Sequence, residues 1–455
     1  MTDGNGKSKG AGKSRRPQVL KGFRDYLPRQ MILRHQIIET VRDIYERHGF
    51  EPLDTPALEY LEVLTGKAGE NEKLMYQFED QGGRPVGLRY DLTVPLARVV
   101  AMHQAEVVLP FKRYHIAPVW RAEKPQRGRF REFWQCDADI AGSDSMLADA
   151  EIVSMIAEAL SGVGLPNFMV HISHRRLLAR LARHAGIPED LAGTVYRSVD
   201  KLAKIGANGV RDELTERGVS PEAASKVLEA VLAEGSPVDL LAELRDRLSS
   251  DPDAVAAIDE LDQLFSLLPA FGVPPTSYCF DLTLARGLDY YTGPVYEATV
   301  TEPKVGSVAG AGRYDALVGK FLGREVPATG MSLGLERIIE VVEEFNLLPA
   351  PATIAQVLVT VFPDTINDAA AVATKLRAAG LRVDFSLLPH RSLGEQLKYA
   401  GRKGIPFAVI AGPDELARNV VAVKNIVSGE QVEYRLDQAA EAISQALADH
   451  QSTVV

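Results

Sequence analysis

The first part of the chain alternates helical and strand-like hydrophobic patterns. Apolar residues recur at helical spacing over residues 31–48, and Gly49 ends the predicted helix. The next segment, residues 50–60, is extended, but Pro52 and Pro56 disfavour a strand with neighbours on both sides. A long helix that leads into a proline-bearing strand could form a seam between two copies of the chain.

Residues 113–140 have the pattern of a strand–loop–strand hairpin. In its second strand the side chains separate into two faces with a period of two. The apolar face can pack in a core, whereas buried carboxylates on the other face are costly unless they bind something. The polar face consists of Phe133, Gln135, Asp137 and Asp139, and the apolar face of Trp134, Cys136, Ala138 and Ile140.

Residues 175–270 change character and predict helices with little strand signal. Three of these helices should begin at a capping residue followed by proline, at Ser220, Ser236 and Asp251. The segment carries 12 basic and 17 acidic residues, and we interpret it as a helical insertion. Strand-like sequence then resumes from about residue 277 to 312, and a helix follows at 333–345.

A Pro/Ala segment, residues 348–353, predicts a linker to a second region. Beyond it the pattern predicts a βαβαβ order and therefore a small domain with a mostly parallel sheet. The predicted strands cover residues 355–362, 381–388 and 405–412, and the predicted helices cover 365–379 and 391–403.

Composition narrows the class of protein. The 455 residues are 46% hydrophobic and 25% charged, which is typical of a soluble globular protein of about three domains. No apolar run reaches ~18 residues and the N-terminus lacks a secretory pattern, so no membrane helix is expected. Cys136 and Cys279 cannot build a disulfide framework, and no Cys/His cluster has zinc spacing, which favours a reduced, cytoplasmic location. The Gly/Lys/Ser-rich start, residues 1–18, is expected to be a disordered basic tail.

A local basic segment stands out against the net charge of −10. Residues 112–131 contain seven basic residues and one acidic residue, which suits a phosphate-bearing ligand and equally a solvated charged hairpin. In the first strand of the hairpin, Arg121 and Glu123 share a face. A second short segment, RGLDYYTG at 286–293, combines an arginine, an aspartate, two glycines and two tyrosines. Taken alone, this segment is more typical of a structural turn than of a binding site.

Together, these motifs resemble a known enzyme family. Residues 121–140, RAEKPQRGRFREFWQCDADI, are similar to the second signature motif of class II aminoacyl-tRNA synthetases, and GMSLGLERI at 330–338 is similar to the third. RGLDYYTG together with AGAGRYDALVG at 309–319 resembles the paired histidine-binding motifs of histidyl-tRNA synthetases. LKGFRDYLP and LRYDLTVPLAR also match that family, and the resemblance covers roughly residues 19–435.

The resemblance implies a fold and an activity. It implies an α+β catalytic domain with a mainly antiparallel sheet, a helical insertion and a C-terminal α/β anticodon-binding domain. Histidine and ATP would form histidyl-adenylate and pyrophosphate, and histidine would then pass to the 3′ end of tRNA(His). Mg²⁺ is expected with ATP, and a cytoplasmic homodimer is expected. The implied domains are a tail at 1–18, the catalytic domain at 19–174 and 271–347, the insertion at 175–270, a linker at 348–353 and the anticodon-binding domain at 354–455.

Two other interpretations stay open. Non-catalytic, synthetase-like regulatory subunits of ATP phosphoribosyltransferase share the catalytic fold but lack the C-terminal tRNA-binding domain. A general nucleotide-binding module would leave the two tyrosine motifs unexplained. The synthetase is favoured by the C-terminal domain and by three arginines that the resemblance assigns to the phosphates of ATP, namely Arg121, Arg286 and Arg337.

On the ATP side, the resemblance assigns roles to five residues. Arg121 and Arg286 would hold the α-phosphate, Arg286 acting where related enzymes place a metal. Arg337 would pack on adenine and reach the terminal phosphate, as the planar guanidinium allows. Phe133 would stack on adenine, and Glu123 would meet its edge.

The resemblance also assigns residues to the binding of histidine and of tRNA. Tyr291 and Tyr314 would contact the imidazole, Asp139 would face the substrate, and Tyr290 could be core or site. Two departures from the family pattern are Ala311 before Gly312, and aspartates at 91 and 139 where many bacterial members have glutamate. The α-amino group would be held by Asp91, Thr93 and Gln135. The tRNA acceptor loop would comprise Lys124, Gln126, Arg127 and Arg129.

Overall fold

The computed structural model describes residues 17–65, 74–284, 290–349 and 351–453. They form two compact units, a larger one that takes in Ile37–Leu347 and a smaller one that takes in Leu348 onward together with Tyr26–Gln36. Residues 1–16 of the predicted basic tail and Arg286 lie outside the described residues. The predicted domain boundaries at 175, 270 and 348–353 stay predictions.

The larger unit is built on an eight-stranded sheet. Its strand order is β1-β5-β6-β11-β10-β9-β7-β8, with a separate three-stranded sheet β2-β4-β3. Among the described strands of this eight-stranded sheet, only the edge pairs β1–β5 and β7–β8 are parallel, so the prediction of a mainly antiparallel sheet is confirmed. The strands are β1 Glu51–Pro52, β2 Leu58–Tyr60, β3 Gln77–Glu79, β4 Pro85–Leu88, β5 Phe111–Trp120, β6 Glu132–Ala141, β7 Phe168–His174, β8 Tyr278–Phe280, β9 Pro294–Val300, β10 Ser307–Arg313 and β11 Ala328–Gly334.

The helices of the first 347 residues agree with the sequence pattern. The first helix covers the segment predicted from residue 31, and Pro52 lies in an edge strand, where a missing N–H is tolerated. Ser220, Ser236 and Asp251 each accept a backbone N–H as N-caps, as predicted. The helices are α1 Pro28–Arg47, α2 Leu61–Leu64, α3 Thr93–Met102, α4 Met146–Gly162, α5 Leu177–His184, α6 Ala192–Val199, α7 Leu202–Glu216, α8 Pro221–Val231, α9 Pro237–Arg247, α10 Pro252–Leu267, α11 Asp315–Leu322 and α12 Leu335–Phe345.

The centre of the large sheet fixes which polar residues share a face. Asp139 lies opposite Gly330 on β11, and Asp137 lies opposite Ser332. On the other side of β6, Asp139 lies opposite Arg113 of β5. Directly opposite residues in antiparallel strands project from the same face of the sheet. The polar face that the alternation predicts in β6 is therefore extended by side chains of both neighbouring strands.

The smaller unit has the predicted βαβαβ order, but its sheet is mixed. The order is β13-β12-β14-β15-β16; the pairs of β12 with β13 and β14 are parallel, and the pairs of β15 with β14 and β16 are antiparallel. The three predicted strands pair in parallel as expected, whereas β15 and β16, which the pattern did not predict, add two antiparallel pairs, so the whole sheet is not mostly parallel. The strands are β12 Val357–Val359, β13 Val383–Phe385, β14 Phe407–Ile410, β15 Val420–Asn425 and β16 Gln431–Arg435, and the helices are α13 Ile366–Ala378, α14 Leu393–Lys403, α15 Pro413–Ala417 and α16 Ala439–Thr453.

The physical reason for this difference lies after β14. The connection from β14 to β15 contains only the five-residue helix α15, which is too short for a parallel crossover, so the chain turns back antiparallel. Within the described residues, no helix is both long and apolar enough to cross a membrane.

Candidate active site

A cavity of about 380 Å³ opens on the polar face of the large sheet. The hairpin β5–β6 and the strands β10 and β11 supply much of its wall, and the start of α3 supplies another part. Predicted site residues that line this cavity are Asp91, Thr93, Arg121, Glu123, Arg129, Phe133, Gln135, Asp139, Tyr290, Tyr291, Tyr314 and Arg337. The structure thus brings together the described residues assigned to ATP and those assigned to histidine.

Asp139 is one of two buried carboxylates of the predicted set, the other being Asp91. A nitrogen of the fully buried Arg113 guanidinium lies 2.7 Å from its Oδ2, and the hydroxyl of Tyr314 donates to its Oδ1. Burial raises the pKa of Asp139, and the Arg113 charge and the Tyr314 hydrogen bond oppose that rise. Arg113 also donates to the Leu92 carbonyl at 3.0 Å, which fixes the guanidinium between the sheet and the start of α3.

Asp91 and Gln135 present acceptors to the cavity. Asp91 Oδ1 accepts the backbone N–H of Val94 at 3.0 Å, and Gln135 Nε2 donates to Ser332 Oγ at 2.6 Å. Asp91 Oδ2 and Gln135 Oε1 are buried and have no hydrogen-bond partner among the described residues. Burial raises the pKa of Asp91 to about 6. Buried acceptors of this kind need a donor, and an ammonium group supplies three.

Three tyrosines form one aromatic cluster beside these acceptors. The Tyr290 ring lies 5.1 Å from Tyr291 and 5.7 Å from Tyr314, both edge-on. Tyr290 belongs to the apolar core and also lines the cavity. Burial, and then the nearby carboxylates, raise the pKa of the Tyr291 phenol, which therefore stays a hydrogen-bond donor at neutral pH.

The second tyrosine motif brings β10 close to Tyr291. A Cβ placed on Gly312 would lie 2.9 Å from the Tyr291 ring, so this position needs glycine. The neighbouring Ala311, a departure from the family pattern, is buried and lines the cavity. Its methyl group therefore occupies space at the cavity wall.

Arg121 and Arg337, which the resemblance assigns to ATP, both line the cavity. Arg121 Nε donates to the Tyr90 carbonyl at 2.9 Å, and its guanidinium carbon lies 5.1 Å from the centre of the Phe133 ring. Arg337 donates to the Ser307 carbonyl, and burial lowers its pKa from the usual arginine value. Both cations are thus oriented by backbone carbonyls, which do not neutralise their charge.

The β5–β6 loop is a tight turn. Gln126 and Arg129 exchange backbone hydrogen bonds of 3.1 and 2.9 Å around Gly128, whose φ is +64°. Arg129 pairs with Glu123 at 3.0 Å, and Arg127 pairs with two glutamates of α12, at 3.0 and 2.9 Å. Lys124 and Gln126 are exposed. Two of the four predicted tRNA-loop residues are therefore held by carboxylates of the protein.

The structure adds residues that the sequence did not single out. Arg113 joins the site only through strand register, which no sequence motif predicts, and Ser332, which lies inside the GMSLGLERI segment, had no role assigned to it. Asp137 lines the cavity and was on the predicted polar face, but no role was assigned to it. Outside the cavity, His171 and His174 pair with Asp281 and Glu260, each at 2.8 Å.

The fold and the cavity together define a class of enzyme. An antiparallel sheet that carries the arginine-bearing β5–β6 hairpin, with Arg337 of α12 at the same cavity, is the architecture of class II aminoacyl-tRNA synthetases. The histidyl-tRNA synthetase family model matches residues 22–338, and the anticodon binding domain model matches residues 356–446. The chain belongs to the histidyl-tRNA synthetase family.

Individual relatives cover nearly the whole chain. A histidine–tRNA ligase of Rhodopirellula baltica is 44% identical over 91% of this chain and 94% of its own length. A histidine–tRNA ligase of Aeropyrum pernix is 43% identical over 95% of this chain and 99% of its own length. The crystal structure of histidyl-tRNA synthetase from Nostoc sp. PCC 7120 is 35% identical, with a TM-score of 0.85 over 94% of this chain and 99% of that chain.

Proposed function

We propose that the protein is a histidine–tRNA ligase, which activates histidine with ATP and then transfers it to tRNA(His). One observation carries the proposal: a single cavity joins two preorganised arginines to a cluster of tyrosines and buried acceptors. The arginines suit a nucleoside triphosphate, and the tyrosines and buried acceptors suit an amino acid with an ammonium group and a polar ring. Relatives named histidine–tRNA ligase along almost the full chain support it.

In the first step, a carboxylate oxygen of histidine attacks the α-phosphate of ATP, and pyrophosphate leaves. Negative charge develops on the α-phosphate oxygens, and fixed cations aimed there lower the barrier. Arg121 and Arg286 take this role, and Arg337 holds adenine and the terminal phosphate. Phe133 stacks on adenine and Glu123 meets its edge. The assignment of Arg286 rests on its motif alone.

Histidine binds deeper in the cavity. Its ammonium group donates to Asp91, Gln135 and Thr93. The buried Asp91 Oδ2 and Gln135 Oε1 have no hydrogen-bond partner among the described residues and are therefore available to accept. Its ring lies against Tyr291 and Tyr314, with Asp139 orienting Tyr314 through a hydrogen bond. Tyr290 supports both rings.

Mg²⁺ accompanies ATP in this proposal. No group of three or more His, Cys, Asp or Glu side chains among the described residues could by itself hold a metal ion. Phosphate oxygens would therefore supply most ligands, and Glu297 of the cavity wall fits as an additional carboxylate. Bound there, the ion would neutralise part of the phosphate charge.

In the second step, a hydroxyl of the terminal tRNA ribose attacks the carbonyl carbon of the adenylate, and AMP leaves. Lys124, Gln126, Arg127 and Arg129 approach the acceptor end of the tRNA, and residues 354–455 bind its anticodon side. The anticodon binding domain model supports the second contact.

A homodimer and a cytoplasmic location complete the proposal. Next to the edge strand β1, the 81% exposed Val108 lines a second cavity of about 660 Å³, a surface that a second copy could cover. Light scattering at micromolar concentration tests the assembly. The name of the Dictyostelium discoideum relative includes the word cytoplasmic, and the cysteines of this chain are free.

A solved structure is relevant to the regulatory alternative. A protein from Bacillus halodurans, titled as an ATP phosphoribosyltransferase regulatory subunit/histidyl-tRNA synthetase, is 25% identical with a TM-score of 0.73 over 85% of this chain. Against this alternative stand Arg121, Arg286 and Arg337, and the matched anticodon binding domain.

The deciding experiment is ATP–pyrophosphate exchange with each of the twenty amino acids, followed by charging of tRNA. Exchange that depends on histidine alone, together with charging of tRNA(His), is the expected result. Histidine binding without exchange or charging would favour the regulatory subunit. Lys124→Ala should lower charging more than exchange, and the loss should shrink at low salt, where the remaining phosphate contacts strengthen.

A further inference from the structure

Asp137 is a buried carboxylate in the cavity that the proposed mechanism does not use. Its side chain is 1% exposed, lines the cavity and projects from the same face of β6 as Gln135 and Asp139. Its Oδ1 has no hydrogen-bond partner among the described residues. A buried polar atom without a partner is costly, so this atom points to a ligand that supplies one.

Asp137 differs from Asp139 in how the protein compensates it. Asp139 has the Arg113 guanidinium at 2.7 Å and the Tyr314 hydroxyl as direct partners. For Asp137, burial and the like charges of Asp139 and Asp91 raise the pKa of the carboxyl group. The Arg113 charge and a hydrogen bond from Ser332 lower this pKa, but burial outweighs them. Its pKa is therefore raised well above the usual aspartate range.

The residue opposite Asp137 on β5 does not compensate it either. His115 Nε2 lies 2.9 Å from Asp54 Oδ1, so that nitrogen faces another carboxylate. Burial, and then the charges of Arg113 and Arg89, lower the pKa of His115, which keeps its ring neutral at neutral pH.

The position of Asp137 follows from strand geometry. It lies midway between Gln135 and Asp139, about 7 Å along the strand from each. In the proposed function Gln135 meets the ammonium group of histidine and Asp139 lies at the ring end. A ligand that reaches from one to the other on this face must pass over Asp137.

We propose that Asp137 binds the imidazole of the substrate and helps the site to select histidine over amino acids whose rings lack nitrogen. The inference rests on the proposed function, because it assumes that histidine occupies this cavity. An imidazole ring offers an N–H donor and a ring-nitrogen acceptor, and a carboxyl group can pair with either. The Tyr291 phenol, which the charges of Asp137 and Asp139 also reach, can serve the second ring nitrogen.

The test measures histidine-dependent exchange for Asp137→Asn and Asp137→Ala, with β-(2-thienyl)alanine as a competing ligand that has a flat five-membered ring without nitrogen. Losing a hydrogen bond to a buried carboxyl group should lower kcat/KM for histidine about 10- to 100-fold in Asp137→Ala. The inhibition constant of thienylalanine and the KM for ATP should change less than about threefold. A site built around a ring N–H loses discrimination when its polar partner is removed.

Asp80→Asn is the matched control, because Asp80 lies in a surface turn and pairs with Arg84 at 2.6 Å. It makes the same chemical change away from the cavity and should leave the exchange kinetics as in wild type. Thermal unfolding of each variant checks folding. The amide of Asp137→Asn has the shape of the carboxyl group, so this variant carries the test where Asp137→Ala is unstable.

The outcomes separate the two hypotheses. A kcat/KM for histidine within about twofold of wild type in folded Asp137→Asn and Asp137→Ala would overturn the role of Asp137 and leave the proposed function intact. Equally weakened binding of histidine and thienylalanine would also overturn the role of Asp137, because that pattern would mean that the side chain only packs against the ligand. Wild-type protein without histidine-dependent exchange would overturn the proposed function, and this inference with it.

Discussion

Gly330 leaves the space that the carboxyl group of Asp139 occupies. The two residues lie opposite each other on β11 and β6, and a Cβ on Gly330 would overlap Asp139 Oδ1 and lie 2.5 Å from its Cγ. The same atom would lie 3.0 Å from the Ala138 carbonyl oxygen, so backbone as well as side chain opposes any substitution. A glycine of the third signature motif thus supports the site by having no side chain.

We expect Gly330→Ala to displace Asp139 and to break its contacts with Arg113 and Tyr314. Overpacking of this kind should cost about 1–3 kcal/mol of unfolding free energy and should raise the KM for histidine. Urea unfolding and exchange kinetics measure the two effects. Gly394→Ala, in α14 where a Cβ meets nothing within 4 Å, is the control and should be neutral or slightly stabilising. Normal histidine kinetics in Gly330→Ala would show that Asp139 can move without consequence.

Arg113 and Asp139 should behave as a coupled pair. Arg113→Met leaves Asp139 and Asp137 buried without their cation, which should cost about 3–5 kcal/mol of stability. Asp139→Asn in the same chain should recover part of that loss, with a coupling free energy of about 0.5–3 kcal/mol. A double-mutant cycle by urea unfolding measures it, and additive losses would contradict a direct pair.

Asp91 should make the free protein less stable as pH rises from about 4 to 6. Its folded pKa is about 6, whereas an unfolded aspartate has a pKa near ~3.9, so the folded state binds the proton more tightly. Stability then falls through that window as the proton is lost, by up to about 3 kcal/mol. Asp91→Asn removes this penalty, so the variant should gain stability relative to wild type between pH 4 and 7. Parallel stability curves for the two proteins would refute the shift.

Arg286→Ala and Arg121→Ala should slow adenylate formation while histidine binding weakens little. Removing one preorganised charge from a developing oxyanion commonly costs ~10²–10³-fold in rate. Rapid-quench measurement of adenylate formation, with histidine affinity measured separately, distinguishes the two effects. A rate close to that of wild type would remove the substituted arginine from the catalytic set.

Tyr291→Phe and Tyr314→Phe should affect histidine and not ATP. Each change keeps the ring and removes a buried hydroxyl, at a cost of about 1–3 kcal/mol where a hydrogen bond to the ligand or to Asp139 is lost. The KM for each substrate is the readout. Equal increases in both constants would mean that the tyrosines support the fold instead.

Local sequence patterns are enough to specify the local elements and to show which residues share one polar face of β6. The period of two in β6 put Gln135, Asp137 and Asp139 together, and the capping residues placed the starts of three helices. These features depend on neighbours along the chain, so a linear pattern contains them. The motifs also named the arginines and tyrosines, and the structure brings the described ones to one cavity.

Which strands lie side by side, and in which register, is visible in the folded molecule and not in the sequence pattern. Register places Arg113 and Gly330 on either side of Asp139, and it leaves Asp137 without a comparable cation. The antiparallel return of β15 beside β14 is a fact of the same kind. Periodicity states which residues share a face, but pairing between distant segments depends on how their side chains pack together, and no single segment carries that information.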